Sequence, residues 1–233
     1  GAAQSADDSH KACIYTKGHL EISGAGTLNV TGNYNHAIAT KEYLQVKKTV
    51  TAINIKKAAN DAIHVGQFFQ MHGGTLNIDA NTVGDGVQVE YKTDDNGVII
   101  PLTEDEENTG SVIIKGGTFA ITMAGNEDTK AIKADGDITI SGGTFVINAN
   151  SNGSRGIQTD GDLTISEDDN TTNITIAANG GLCTQAEDAE DPHRCMGMKI
   201  GGDLTVKGGT ITVTNNGTKA RGIKVDGTYT KTG

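Results

Sequence analysis

A short phrase, Gly-Gly-Thr followed by alternating apolar residues, returns along this chain and restricts it to architectures built by stacking one unit on the next. It reads GAGTLNV at Gly24 to Val30, HGGTLNI at His72 to Ile78, KGGTFAI at Lys115 to Ile121, SGGTFVI at Ser141 to Ile147 and KGGTITV at Lys207 to Val213. A second phrase interleaves with it: HAIAT from His36, DAIHV from Asp61, DGVQV from Asp85, KAIKA from Lys130, RGIQT from Arg155, MGMKI from Met196 and RGIKV from Arg221. Its central residues lie 25 positions apart from Ile38 to Ile63, Ile132 to Ile157 and Met198 to Ile223, and 24 apart from Ile63 to Val87. A fixed period of this size is the signature of a solenoid.

Each unit holds three runs with period-two alternation, such as AIKA (Ala131 to Ala134), DITI (Asp137 to Ile140) and TFVI (Thr144 to Ile147), parted by Asp-Gly and Gly-Gly turns. Three strands per unit and no helical pattern predict an all-β fold, a right-handed parallel β-helix of about seven coils. Equivalent strands of successive coils then stack at ~4.8 Å. The motif residues Ile38, Ile63, Val87, Ile132, Ile157, Met198 and Ile223 should form one inward column, and Leu44, Phe69, Ile138, Leu163, Leu204 and Tyr229 a second. Residues 1–233 read as one domain with loop insertions at 91–110 and 183–195; the first is strongly acidic, and loops of such length are either functional or disordered. The run Gly227-Thr228-Tyr229-Thr230 begins another strand and stops, leaving an open edge that calls for a cap.

A hydrophobic fraction of 35% is modest for 233 residues, which a solenoid tolerates because each coil buries only its inward side chains. The net charge of −10 argues against a nucleic-acid partner, and no run is apolar enough to span a bilayer. Gly1 to Ser5 reads as a cloning remnant before a mature start, compatible with an export signal already removed. Cys183 and Cys195 bracket a charged stretch and are candidates for a disulfide in an oxidising compartment or for two thiols; spacing does not decide.

KAIKADGDITISGGTFVI (Lys130 to Ile147) and RGIQTDGDLTI (Arg155 to Ile165) resemble the coils of bacterial cell-surface carbohydrate-binding β-helix proteins with a polysaccharide-lyase-like fold. The resemblance runs from about Gly18 to Val225. It implies an extracellular or cell-surface protein, a cellulose-like or acidic polysaccharide as partner, Ca²⁺ held by coil aspartates, and no requirement for catalysis. The acidic position of that pattern is replaced at Lys130, Arg155, Met196 and Arg221, which confines the calcium expectation to the early coils.

Stacking converts the sequence into columns. The one two residues before the motif isoleucine runs His36, Asp61, Asp85, Lys130, Arg155, Met196, Arg221, and the one just after it runs Ala39, His64, Gln88, Lys133, Gln158, Lys199, Lys224. Asp61 and Asp85, with Asn60 and Asp79 nearby, offer hard oxygen ligands for Ca²⁺, or else serve as turn caps that bond backbone amides. Lys130, Lys133, Arg155, Lys199, Arg221 and Lys224 draw a basic strip suited to gripping uronate carboxylates, or simply a solvated sheet face. Tyr43 and Phe68 on adjacent coils offer a stacking platform for neutral sugars, or pack beneath the N-terminal segment. Asp137, Asp162 and Asp203 stack as like charges, with solvent screening as the default relief. The leading expectation is a monomeric, non-catalytic polysaccharide-binding protein. The alternatives are a calcium-dependent polysaccharide lyase, using Ca²⁺ at Asp61 and Asp85 with Arg155 or Lys130 as base, and a structural adhesin stalk.

Overall fold

The computed structural model describes residues 12–183 and 193–233. Three parallel sheets run the length of a β-helix, and among the described residues there is no helix. The first sheet has eight strands, carries the isoleucine phrase, and runs from Ala12–Thr16 to Arg221–Val225. The second has eight strands, from Leu20–Ile22 to Tyr229–Lys231, and the third has seven, including Thr118–Met123 and Gly143–Ala149 from the Gly-Gly-Thr phrase. Eight coils therefore stand where the phrase count gives about seven. The extra one is opened by Ala12–Thr16, whose Ile14 pairs with Ile38 although its neighbours match no motif.

The register follows the repeat. Ile38 pairs with Ile63, Ile63 with Val87, Val87 with Ile132, Ile132 with Ile157, Ile157 with Met198 and Met198 with Ile223. All are fully covered except Ile223, which is 44% exposed on the last coil, where no further coil covers it. The second column behaves alike: Leu44, Phe69, Ile138, Leu163 and Leu204 are buried and the terminal Tyr229 is exposed. Inside the third sheet, Phe119 and Phe145 stack with ring centroids 4.5 Å apart and planes 7° from parallel. The phrase needs its glycines for backbone reasons. Gly74 adopts φ +83°, and a Cβ there would run into the Val50 carbonyl of the preceding coil.

The outward row beside the second sheet changes character along the axis. In the early coils His19, Tyr43 and Phe68 stack face to face at 4.6 and 4.7 Å. In the late coils each aspartate accepts the backbone N–H one coil on: Asp137 Oδ1 from Asp162 at 2.8 Å, Asp162 Oδ1 from Asp203 at 2.7 Å and Asp203 Oδ1 from Thr228 at 2.7 Å. Solvent screening is thus not the sole relief for these stacked carboxylates; each is tied to a peptide dipole, a bond worth roughly 0.5–1.5 kcal/mol net. Amide ladders do similar work, from Asn77 to Asn54 to Asn29 and from Asn216 to Asn179 to Asn150.

Between Val87–Val89 and Ser111–Ile114 the chain leaves the coil and folds back against it. Asn108, almost wholly buried, donates through Nδ2 to the Lys92 and Ile100 carbonyls and accepts the Lys92 amide. Lys92 Nζ pairs with Glu42 at 3.2 Å and Asp105 at 3.3 Å, and Gln67 donates to Asp105 at 2.6 Å. The insertion is therefore pinned to the second and third coils. Most of the expected 183–195 insertion lies outside the described residues; its neck is closed by an antiparallel bridge from Leu182 to Arg194. Cys183 and Cys195 are buried thiols with different partners, Cys183 Sγ donating to Glu127 and Cys195 Sγ to the Ala149 carbonyl, each at 3.3 Å. This overturns the disulfide alternative.

The register makes neighbouring residues unequal. Phe145→Ala should lower stability by about 3–5 kcal/mol, since it deletes a buried ring and leaves a cavity against Phe119. Val146→Ala, on the same strand but 48% exposed, should cost under about 0.5–1 kcal/mol. Urea unfolding of the two variants checks this, and equal losses would contradict the inward placement of Phe145.

Candidate functional site

The residue after each motif isoleucine forms one outward row along the first sheet: Tyr15, Ala39, His64, Gln88, Lys133, Gln158, Lys199 and Lys224. Over its early half lies a groove of about 680 Å³. Its lining includes Tyr15, His36, His64 and Gln88 from the sheet, Asp61 from the turn before Ile63–Val65, and Tyr91 and Lys92 of the insertion. The anchored insertion turns a flat sheet face into a concave one, the shape that ligand sites require.

At the bottom, two imidazoles converge on one carboxylate. His64 Nδ1 lies 3.0 Å and His36 Nδ1 3.2 Å from Asp61 Oδ2, and the two rings are 4.6 Å apart. Asp61 Oδ1 accepts the Asp85 amide at 2.8 Å, and Asp85 Oδ1 in turn accepts the Lys130 amide at 2.7 Å. Both aspartates are buried, with opposite consequences. Burial works against ionisation of Asp61, but the adjoining imidazoles and the Asp85 amide outweigh it and hold its pKa well below the carboxylate range. Asp85 has no such pair of imidazoles; burial, opposed by the Lys130 charge and reinforced by that of Asp61, pushes its pKa up to about 6. For His64, burial disfavours the charged ring, yet Asp61 and Glu90 prevail and raise its pKa.

The family model of carbohydrate-binding domain-containing proteins matches residues 1–232. The chain belongs to this family. No curated protein and no solved structure matches it.

The carbohydrate-binding domain distributes its other candidate residues differently from the simple columns. Among the described residues, the one trio of His, Cys, Asp or Glu whose ligand atoms all lie within 4.8 Å of one another is His36, Asp61 and His64. Asp61, Asp79 and Asp85 form no such trio, and each gives one oxygen to a backbone amide, that of Ala80 for Asp79. Asn60, beside them, is exposed. The turn-cap reading thus describes the observed bonds of these aspartates.

The basic residues occupy two columns of one sheet without forming a free strip. Arg155 is only 4% exposed; its guanidinium lies 2.9 Å from Asp128 and donates to Gln158 at 3.0 Å. Lys130 reaches the same Asp128 at 3.3 Å, Lys133 pairs with Asp135 at 3.5 Å and Lys224 with Asp226 at 3.0 Å. Lys199 and Arg221 have no ion pair among the described residues. Arg155 therefore faces Asp128 and not solvent, and is not placed to abstract a substrate proton. Tyr43 and Phe68 are half-buried, and both faces of Tyr43 are taken by its ring neighbours, so Tyr43 presents only its edge. Asp128, the centre of the cationic group, sits in a turn outside both phrases. Its φ of 58° is left-handed, a conformation Asp tolerates better than most.

Removing Arg155 strips Asp128 of its closest cation. Arg155→Ala should cost about 3 kcal/mol, the low end for a buried pair because the Asp128 side chain is 31% exposed. Arg221→Ala, in the same column but exposed, should stay within about 0.5 kcal/mol. Thermal melts of the two variants distinguish a structural cation from a surface one.

Proposed function

We propose that this domain holds a polysaccharide along the early coils, with the sugar chain following the groove on the first sheet, and that it belongs to an exported or cell-surface protein. The observation that carries the reading is the groove itself, where the phenol of Tyr15, the imidazoles of His36 and His64, the amide of Gln88 and the ammonium of Lys92 line one face beside a pinned insertion. A pitch of ~4.8 Å between coils offers hydrogen-bonding groups at the scale on which a glycan repeats its hydroxyls. Neutral, hydroxyl-rich glycans fit this lining better than polyuronates. Four of the six residues of the basic strip already face Asp128, Asp135 or Asp226, which lowers the positive charge available to attract a polyanion.

Pull-down on an insoluble neutral glucan and on polyuronate, at low and high salt, tests the reading. Neutral glucan should be retained equally at both. A Gln88→Ala, Tyr91→Ala pair should weaken retention about tenfold or more, the loss expected from removing one or two net hydrogen bonds. Binding to polyuronate alone, abolished by salt and by Lys199→Glu with Arg221→Glu, would transfer the site to the late coils. Release of an unsaturated uronate product would replace binding with lyase chemistry.

A further inference from the structure

The groove contains a polar constellation that sugar recognition does not require. We propose that His36, Asp61 and His64 form a binding site for a divalent cation of the zinc class. The proposal rests on side-chain geometry and is independent of which glycan the domain binds. Three ligand atoms from two coils converge within 4.8 Å of one another. Both Nδ1 atoms have the same Asp61 oxygen as their near neighbour, at 3.0 and 3.2 Å. A tetrahedral zinc with bonds of ~2.0–2.1 Å holds its ligand atoms ~3.4 Å apart. The two nitrogen–oxygen separations lie close to that spacing, and the imidazole nitrogens, within 4.8 Å of one another, would have to close in on the ion.

Two further observations point to a ligand. His36 Nδ1, on a side chain only 9% exposed, meets Asp61 Oδ2 at 3.2 Å as an ion-pair contact and makes no hydrogen bond of good geometry. A buried polar atom left unsatisfied is costly, and a cation would complete it. The supporting shell is also of the kind that orients metal ligands. Asp61 Oδ1 is fixed by the Asp85 amide, and His64 Nε2 lies 3.7 Å from Glu90 Oε2, a carboxylate placed to face the Nε2 proton once a metal displaces the one that Nδ1 shares with Asp61. The donor set excludes a good calcium site, because Ca²⁺ takes six to eight oxygens and this trio supplies one carboxylate oxygen and two imidazole nitrogens. The remaining coordination positions would open into the groove, available to water or to an oxygen of a bound molecule.

The full chain, freed of metal by chelation, would be titrated calorimetrically with Zn²⁺ and spectroscopically with Co²⁺. One equivalent should bind, with cobalt d–d bands and no thiolate charge-transfer band. His36→Ala and His64→Ala should each weaken Zn²⁺ binding about 100-fold or more, and Glu90→Gln about tenfold, in line with loss of a ligand and of an outer partner. Asp61→Ala would also strip the Asp85 amide of its acceptor, so Asp61→Asn, which keeps an oxygen there, is the variant that tests the carboxylate. Its melting temperature should stay near that of the parent while Zn²⁺ affinity falls. Unchanged affinity in both histidine variants, a thiolate band from cobalt on cysteine, or displacement of zinc by millimolar Ca²⁺ would each overturn the assignment.

Discussion

Everything in this molecule depends on the parallel hydrogen-bond ladder that sets each residue directly above its equivalent one coil earlier. Ladders of this kind have no tolerance for a one-residue slip, since that would turn every inward side chain outward. The cost of that rigidity falls on the columns. Any side chain repeated along the axis must be compatible with a copy of itself at ~4.8 Å. Apolar side chains meet the requirement by packing, as in the Ile38 to Met198 column. Polar ones need a device, and the structure uses three: stacked rings at His19, Tyr43 and Phe68, amide-to-amide ladders of asparagine, and aspartates that turn each carboxylate to the next coil's amide.

The third device explains why acidic residues can stack without a cation. A carboxylate pointed at a peptide N–H exchanges repulsion from the neighbouring carboxylate for attraction to a dipole that the ladder leaves exposed at the turn. The same bond recurs beneath the groove, where Asp61 accepts from Asp85 and Asp85 from Lys130. There it leaves Asp61 with one oxygen engaged and the other free to meet the two imidazoles. A structural cap thereby becomes half of a functional cluster.

The fold was legible because its signals are local. A glycine forced to positive φ, a Gly-Gly turn and a period-two run can all be read within a few residues, and the period of 25 then sets the stacking. Where the signal is absent, the reading fell short. Ala52–Ala58 and Thr172–Ala178 take their places in the third sheet without a Gly-Gly-Thr phrase, and Ala12–Thr16 opens a coil with no motif around it. The site was less legible, because its contacts run across columns. His36 belongs to the column before the motif isoleucine and His64 to the one after it; only Asp61, between them in space, makes them one group. Asp128 belongs to no column, yet it is the residue that occupies Lys130 and Arg155.

The change of sign along the column before the isoleucine can now be understood as a change of device. Side chains at this position are largely buried, so each must be satisfied by the coil beside it or by a nearby turn. In the early coils Asp61 and Asp85 look forward to an amide. From Lys130 onward the position is cationic or apolar, and the compensating charge moves to Asp128 in the preceding turn, which takes Lys130 and Arg155 together. Asp85 marks the junction, because its acceptor bond goes to the amide of Lys130, the first residue of the new scheme. A basic column in a solenoid is therefore not by itself a ligand-binding strip. The cations that count toward binding are those left over after the scaffold's own carboxylates are served, and here four of the six, Lys130, Lys133, Arg155 and Lys224, already face an aspartate.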